Sequence, residues 1–231
     1  MAGSETDHRA SLPSSHEASA DRGSVGGGGG SGAAIGKAQD QLFAEGSSSR
    51  EKYAALVVGR RGLGALLKHE LVISVAQARA GALGFVLRKA LYPMLLGSCG
   101  PNVVFGQNVV LRHPHKIYIG GNVVIDDNCL LDAKGDGNRG IRIGDGVFVG
   151  RNTILSCKNG DIELADGANL GFNCEVFSAS RVTIGRDALL AAYVYVIGGD
   201  HDFSDPSAPV LAHGSARARR FSTAFRSANG R

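Results

Sequence analysis

Residues 119–131 read IGGNVVIDDNCLL and residues 143–155 read IGDGVFVGRNTIL. Each stretch repeats one six-residue phrase: a large aliphatic side chain, then glycine or aspartate, and a small or β-branched side chain in the fifth place. The phrase returns in residues 164–176, LADGANLGFNCEV, and 184–196, IGRDALLAAYVYV. Its anchors group in threes: Ile119/Ile125/Leu131, Ile143/Val149/Leu155, Leu164/Leu170/Val176 and Ile184/Leu190/Val196. Spacing is six within a triple and twelve, nine and eight between triples, so every insertion follows the third member. Such a period matches neither the 3.6-residue helix nor simple strand alternation. It marks a parallel β-helix with triangular coils, each rising by one strand spacing of about 4.8 Å. The anchors fill the interior, and extra residues are accommodated at one corner. The fifth-place side chain, Cys129 and Cys174 among them, packs inside near a corner. Glycine or alanine in second place is expected to permit tight turning. Residues 105–111 read as a partial first coil.

Composition agrees with this reading. The chain has 231 residues with 34 glycines and no tryptophan, against a usual glycine share of roughly 7%. Residues 1–50 are rich in Ser, Gly and Ala, with five consecutive glycines at 26–30, and are expected to be disordered. Residues 51–100 form an amphipathic helical segment, with leucines and valines at helical spacing, breaks at Gly62, Gly64, Gly81 and Gly84, and an exit at Pro93. Residues 101–206 are the hexapeptide-repeat β-helix, and 207–231 form a basic, unstructured tail without an acidic residue. Net charge is −2, +5, −4 and +5 over 1–50, 51–100, 101–206 and 207–231. Positive charge on the flanks and not on the repeat body argues against a nucleic-acid partner. A basic amphipathic segment more often docks on its own protein, which is the first expectation; it also suits an anionic membrane surface, so contact through 51–97 is a second expectation. Four cysteines without paired spacing fit a reducing compartment. With no apolar span and no leader, the expected location is cytoplasmic, peripheral at the inner face of the membrane where 51–97 touches it.

Three local stretches carry more than the fold: Phe172-Asn173, Val182-Thr183-Ile184-Gly185, and Gly198-Gly199-Asp200-His201-Asp202-Phe203. With the repeats, they resemble the hexapeptide-repeat acyltransferases, and among these the sugar O-acetyltransferases of the maltose/galactoside type. The resemblance covers 101–206 and implies a left-handed parallel β-helix with an N-terminal helical segment. It also implies acetyl-CoA as co-substrate, a sugar or polysaccharide-precursor acceptor, a homotrimer with sites between subunits, and no metal. His201 takes the place of the family's general base and Asn173 that of an acceptor contact. Asp200 and Asp202 flank the histidine, where a carboxylate can raise its pKa or fix its tautomer, and Asp202 is also placed at the substrate. Asn173 can equally serve as a corner residue, since Asn tolerates turn geometry.

The resembled family continues with further coils after the histidine loop. Residues 207–231 keep no hexapeptide register and read as a truncated or frameshifted continuation, which sets a non-catalytic scaffold or assembly module beside the enzyme. A carbonic anhydrase would need His113, His115 and His201 to converge between subunits. Cys157 is expected at a corner, where its thiol can be exposed, with nothing nearby to mark it as a nucleophile. Asp132, Lys134, Asp136 and Arg139 are expected in a solvated loop.

Overall fold

The computed structural model describes residues 46, 48–60, 62–77, 79–201, 207 and 215–216. The segments expected to be disordered or unstructured, 1–50 and 207–231, fall almost wholly outside these residues. Fifteen short strands form three parallel sheets of five, with every third strand in the same sheet. The first sheet holds β1 (Ser98–Cys99), β4 (Ile117–Ile119), β7 (Ile141–Ile143), β10 (Ile162–Leu164) and β13 (Val182–Ile184). The second holds β2 (Val104–Phe105), β5 (Val124–Ile125), β8 (Phe148–Val149), β11 (Asn169–Leu170) and β14 (Leu189–Leu190). The third holds β3 (Val110–Arg112), β6 (Leu130–Asp132), β9 (Ile154–Cys157), β12 (Glu175–Ser178) and β15 (Tyr195–Gly198). This is a β-solenoid of five turns. The first turn is complete and not partial, because β1 pairs with β4 and places Cys99 in the register of Ile119.

Register stacks the anchors directly. Ile119, Ile143, Leu164 and Ile184 align in the first sheet, and Leu111, Leu131, Leu155, Val176 and Val196 in the third. Nearly all are buried, and each fully buried aliphatic side chain contributes roughly 1.5–3 kcal/mol of transfer free energy. Between the anchors the chain turns sharply at the two short corners. There the fourth residue of the phrase adopts the left-handed conformation: Asn102, Asn122, Gly146, Gly167 and Asp187 at one corner, Asn108, Asn128, Asn152, Asn173 and Tyr193 at the other. Asparagine tolerates that region because its amide bonds locally. The amides also ladder between coils, Asn102 to Asn122 at 3.2 Å and Asn108 to Asn128 at 3.1 Å.

The second-place glycines serve a purpose other than turning, since their φ is not positive. They lie under the next coil. A Cβ on Gly150 would sit 2.7 Å from the carbonyl carbon of Gly171, and one on Gly171 would sit 2.6 Å from the nitrogen of Ala192. Closeness of the stacked coils favours a small residue there, as at Ala165 beneath the last coil, with Asp126 the one larger side chain at this place.

Before the solenoid come α1 (Ser49–Tyr53), a π-helical turn (Ala54–Val58), α2 (Leu63–Gln77), α3 (Gly81–Leu91) and a 3-10 turn (Tyr92–Met94). They cover its first coil. Val72, Ala76 and Tyr92 join the core, with Tyr92 edge-on to Phe105 at 5.3 Å. Edge carbonyls of the first coil are satisfied from above: Arg88 Nε donates to Phe105 O, while Gln77 Nε2 and Tyr92 Oη donate to Val109 O. An edge left bare would invite pairing with another chain.

His113 and His115 belong to this cap. The backbone N–H of His113 donates to Val57 O, and its Nε2 donates to Ala55 O at 2.8 Å, which leaves Nδ1 bare and buried. Burial lowers the pKa of His113. It drives that of His115 down to about 4, helped by the Arg60 charge.

Two outcomes follow. Gly150→Ala should destabilise the chain by about 1–3 kcal/mol, since a neighbouring coil must shift. Gly185→Ala, at the same place in the last coil where a Cβ meets nothing within 4 Å, should change stability by less than about 0.5 kcal/mol; urea midpoints of the two variants check this. For the histidines, the unfolded chain protonates near pH 6.5 while the folded chain resists. Stability is therefore full above pH 6.5 and is lost as pH falls from there toward 4. Thermal melts between pH 7.5 and 4.5 should show this decline, and the double variant His113→Asn/His115→Asn should flatten it.

Candidate functional site

At its far end the chain leaves the solenoid. β15 pairs with β12 as far as Gly198, opposite Ser178, and the Gly198 carbonyl accepts from both Ala179 and Ser180 N–H at 2.7 Å. Gly199 then turns with φ +113, and its missing Cβ would lie 2.8 Å from that of Ala179. Only glycine passes this point without strain. Beyond it, β16 (Asp200–His201) pairs antiparallel with β17 (Ser215–Ala216). A two-residue strand thus lies within 207–231. The backbone of His201 stands where the sequence placed it, just past the third strand at the corner that collects insertions. Asp202 lies outside the described residues.

Asn173 stands at a different corner. It belongs to the left-handed column between the second and third sheets, with φ 55 and its N–H donating to Arg151 O at 2.9 Å. Asn152 and Tyr193, one coil before and one after, donate in the same way to Asp127 O and Phe172 O. Its backbone role is therefore shared by a whole column. Asn173 and His201 lie beyond opposite ends of the strands of the third sheet, one before β12 and the other after β15. One copy of the chain does not bring these two corners together.

The short corner carries what sequence reading missed. Tyr193 occupies a place held elsewhere by Asn, Gly or Asp, at φ 63, a conformation that costs a side chain of this size about 1–2 kcal/mol. It is 74% exposed. Its ring meets Phe172 edge-on at 5.9 Å, and the Arg151 guanidinium lies 5.2 Å over Phe172. On the outer face of the third sheet, Phe177 contacts Tyr195 at 5.7 Å with Lys158 5.4 Å over its ring. Arg151 and Lys158 form no ion pair among the described residues. The signal was available: the fourth place reads Asn, Gly or Asp in every phrase but the last.

The first sheet bears a shallow groove of about 500 Å³ on its outer face, lined by Tyr118, Arg142, Glu163, Thr183 and Arg186 among others. Its charges are mutually engaged: Arg186 with Asp166 at 2.8 Å, Arg181 with Glu163 at 3.8 Å, and Arg142 over the Tyr118 ring at 4.6 Å. Asn173 does not line it.

Other sequence expectations are relocated. Cys157 is buried at the end of β9 and not exposed at a corner, and burial pushes its thiol, like that of Cys129, up to about 12. Neither is a thiolate near neutral pH. Asp132 is buried, its carboxylate accepting from Lys134 N–H and facing Arg112 at 3.7 Å. The following insertion is tied down by Asn138, which donates to Lys134 O and Gly160 O and accepts from Lys116 Nζ. It is an organised corner and not a loose one. Among the described residues no three side chains of metal-ligand type converge, and His113 is committed to the cap.

Comparison with solved structures finds a hexapeptide-repeat-containing acetyltransferase of Vibrio cholerae O1 biovar eltor, complexed with acetyl coenzyme A. It is 22% identical over 64% of this chain and 87% of that one, with a TM-score of 0.42. Serine acetyltransferase isoform 3 of Entamoeba histolytica, in complex with cysteine, is 14% identical over 74% of this chain and 59% of that one, with a TM-score of 0.27. No protein-family model matches the chain, and no curated protein matches it. The solenoid assignment rests on the strand pairing of this chain itself.

Asn173 can be tested apart from its backbone role. Asn173→Gly keeps the left-handed corner and should leave stability within about 0.5 kcal/mol, whereas Asn173→Ala should cost about 1 kcal/mol. Should its amide contact an acceptor, both variants lose acceptor turnover alike; with a corner role alone, the glycine variant keeps it.

Proposed function

We propose that this protein is a coenzyme A-dependent O-acyltransferase that moves an acetyl group from acetyl-CoA to a hydroxyl of a sugar or polysaccharide precursor. The observation that carries the reading is the Gly198–His201 stretch at the insertion corner, where the chain departs from a rigid hexapeptide solenoid, followed in sequence by Asp202-Phe203. His201 acts there as general base: its imidazole takes the hydroxyl proton as the oxygen attacks the thioester carbonyl. The C–O bond forms, the C–S bond breaks, and the thiolate leaves to be protonated. A base whose pKa lies near working pH suits that transfer, and Asp200 and Asp202 in sequence beside it are suited to hold the imidazolium. Rigid solenoid walls favour the reaction by holding donor and acceptor in line.

In this reading Asn173 and Asp202 contact substrate. The exposed Phe172–Tyr193 pair beside Asn173 offers apolar faces for a sugar ring, and Arg151 and Lys158 are cations available to donor phosphates. Separation of Asn173 and His201 across the third sheet supports a homotrimer, in which the histidine corner of one copy meets the asparagine corner of the next.

Calorimetric titration with acetyl-CoA tests the proposal. We expect saturable binding near one per chain, in an assembly roughly three times 23.9 kDa. His201→Ala should retain binding while acceptor turnover falls by about 10² to 10⁴. A well-folded trimer that binds no acetyl-CoA would instead be a non-catalytic scaffold, and equal turnover in the alanine variant would remove His201 from the chemistry.

A further inference from the structure

The cap helices are apolar on both sides. Toward the solenoid α2 buries Val72 and Ala76. Away from it, Leu63, Leu67, Leu71 and Val75 are exposed at a spacing of four, Leu67 and Leu71 by 64% and 67%. That spacing keeps them on one flank of the helix. Leu83, Phe85 and Val86 are exposed on α3, which packs against α2, and Met94 follows in the 3-10 turn. Scattered apolar residues on a surface are ordinary, but a grouped set of this kind is an interaction surface.

Charge decides what it meets. Arg60, Lys68, Arg79 and Lys89 are all exposed around these side chains. The acidic residues of the cap are Glu51 and Glu70, and both are engaged: Glu51 in a capping box with Ser48, Glu70 by the Tyr53 hydroxyl at 2.7 Å. Lysine is depleted from the cores of protein–protein interfaces, yet Lys68 and Lys89 stand among the exposed leucines and valines. At a bilayer surface that mixture is favourable, because the lysine stem lies along the acyl boundary while its ammonium reaches the phosphates.

We propose that the outer face of α2 and α3 docks in the plane of an anionic lipid bilayer. Leu63, Leu67, Leu71 and Val75 enter the boundary between headgroups and acyl chains, and the four cations pair with lipid phosphates. No helix among the described residues is long and apolar enough to cross a membrane, and α2, at about 1.5 Å per residue, lies along the surface. The inference stands apart from the acyl-transfer reading and holds whether or not the chain binds acetyl-CoA.

The experiment is co-sedimentation of the full chain with phosphatidylcholine vesicles, with and without phosphatidylglycerol, at low and high salt. Leu67→Ser/Leu71→Ser and Lys68→Gln/Lys89→Gln are run beside it, their fold checked by circular dichroism. Sedimentation with the anionic vesicles is expected, weaker by at least about tenfold at high salt or with neutral lipid. Both variants should lose about tenfold. Absence of sedimentation, indifference to lipid charge, or unchanged binding by the serine variant overturns the proposal. So does an assembly that dissociates in the serine variant by light scattering, since the face would then lie between copies of the chain.

Discussion

Everything in this solenoid depends on each coil closing within one strand spacing. A turn that rises by more cannot hydrogen-bond to the turn before it, and a turn that rises by less collides with it. Two features meet the constraint at the short corners. A left-handed residue turns the chain within the four residues between strands, and the residue after the anchor is glycine or alanine, except at Asp126, because the next coil passes close over it. The corner N–H of one coil then donates to the carbonyl of the coil before, as Asn128 does to Gln107 and Asn152 to Asp127. Interior aliphatic ladders supply the driving force, and the corners decide whether those ladders stack.

Stacking of this kind has no natural end, so the ends need separate solutions. At the first coil the solution is covalent continuity: the preceding helices fold over the edge and spend Arg88, Gln77 and Tyr92 on its carbonyls. Buried Arg88 also donates to Arg79 O at 3.2 Å, which ties the entry of α3 to the solenoid rim. His113 clasps the π-helical turn to the same rim. Because these contacts use the inward faces of the helices, the outward leucines are not needed for closing the solenoid. That leaves them open to a separate role.

Legibility in the sequence followed physical period. The anchors were plain, since large aliphatic side chains recur at nearly all of them, and the grouping in threes located the insertion corner. The second-place glycines were also visible, but their reason was misread: a single sequence shows that a residue is small, not which neighbour makes it so. Cys99 hid the first coil because it is smaller than the anchors it aligns with. Cys157 deceived for the opposite reason, being the fourth residue of a strand that runs longer than its counterparts in the other two sheets. Reading 51–97 as helical was possible from spacing alone. What those helices cover was not, because both of their faces are apolar and no periodicity separates the inner one from the outer.

The same logic says where function can reside. Two corners are held to four residues by left-handed geometry, and any departure there carries a conformational cost. The third corner is free, and it takes a 3-10 turn after β3, an eight-residue insertion after β6, and the exit toward His201 after β15. Length variation is therefore weak evidence of function at the free corner, while a single wrong residue at a strict corner is strong evidence. Tyr193 is that residue. A ring held in a left-handed turn, largely exposed and beside Asn173, gains little for the fold beyond its contact with Phe172, and an aromatic contact of about 0.5–1.5 kcal/mol only offsets the conformational cost of about 1–2 kcal/mol. Stability alone does not account for its presence.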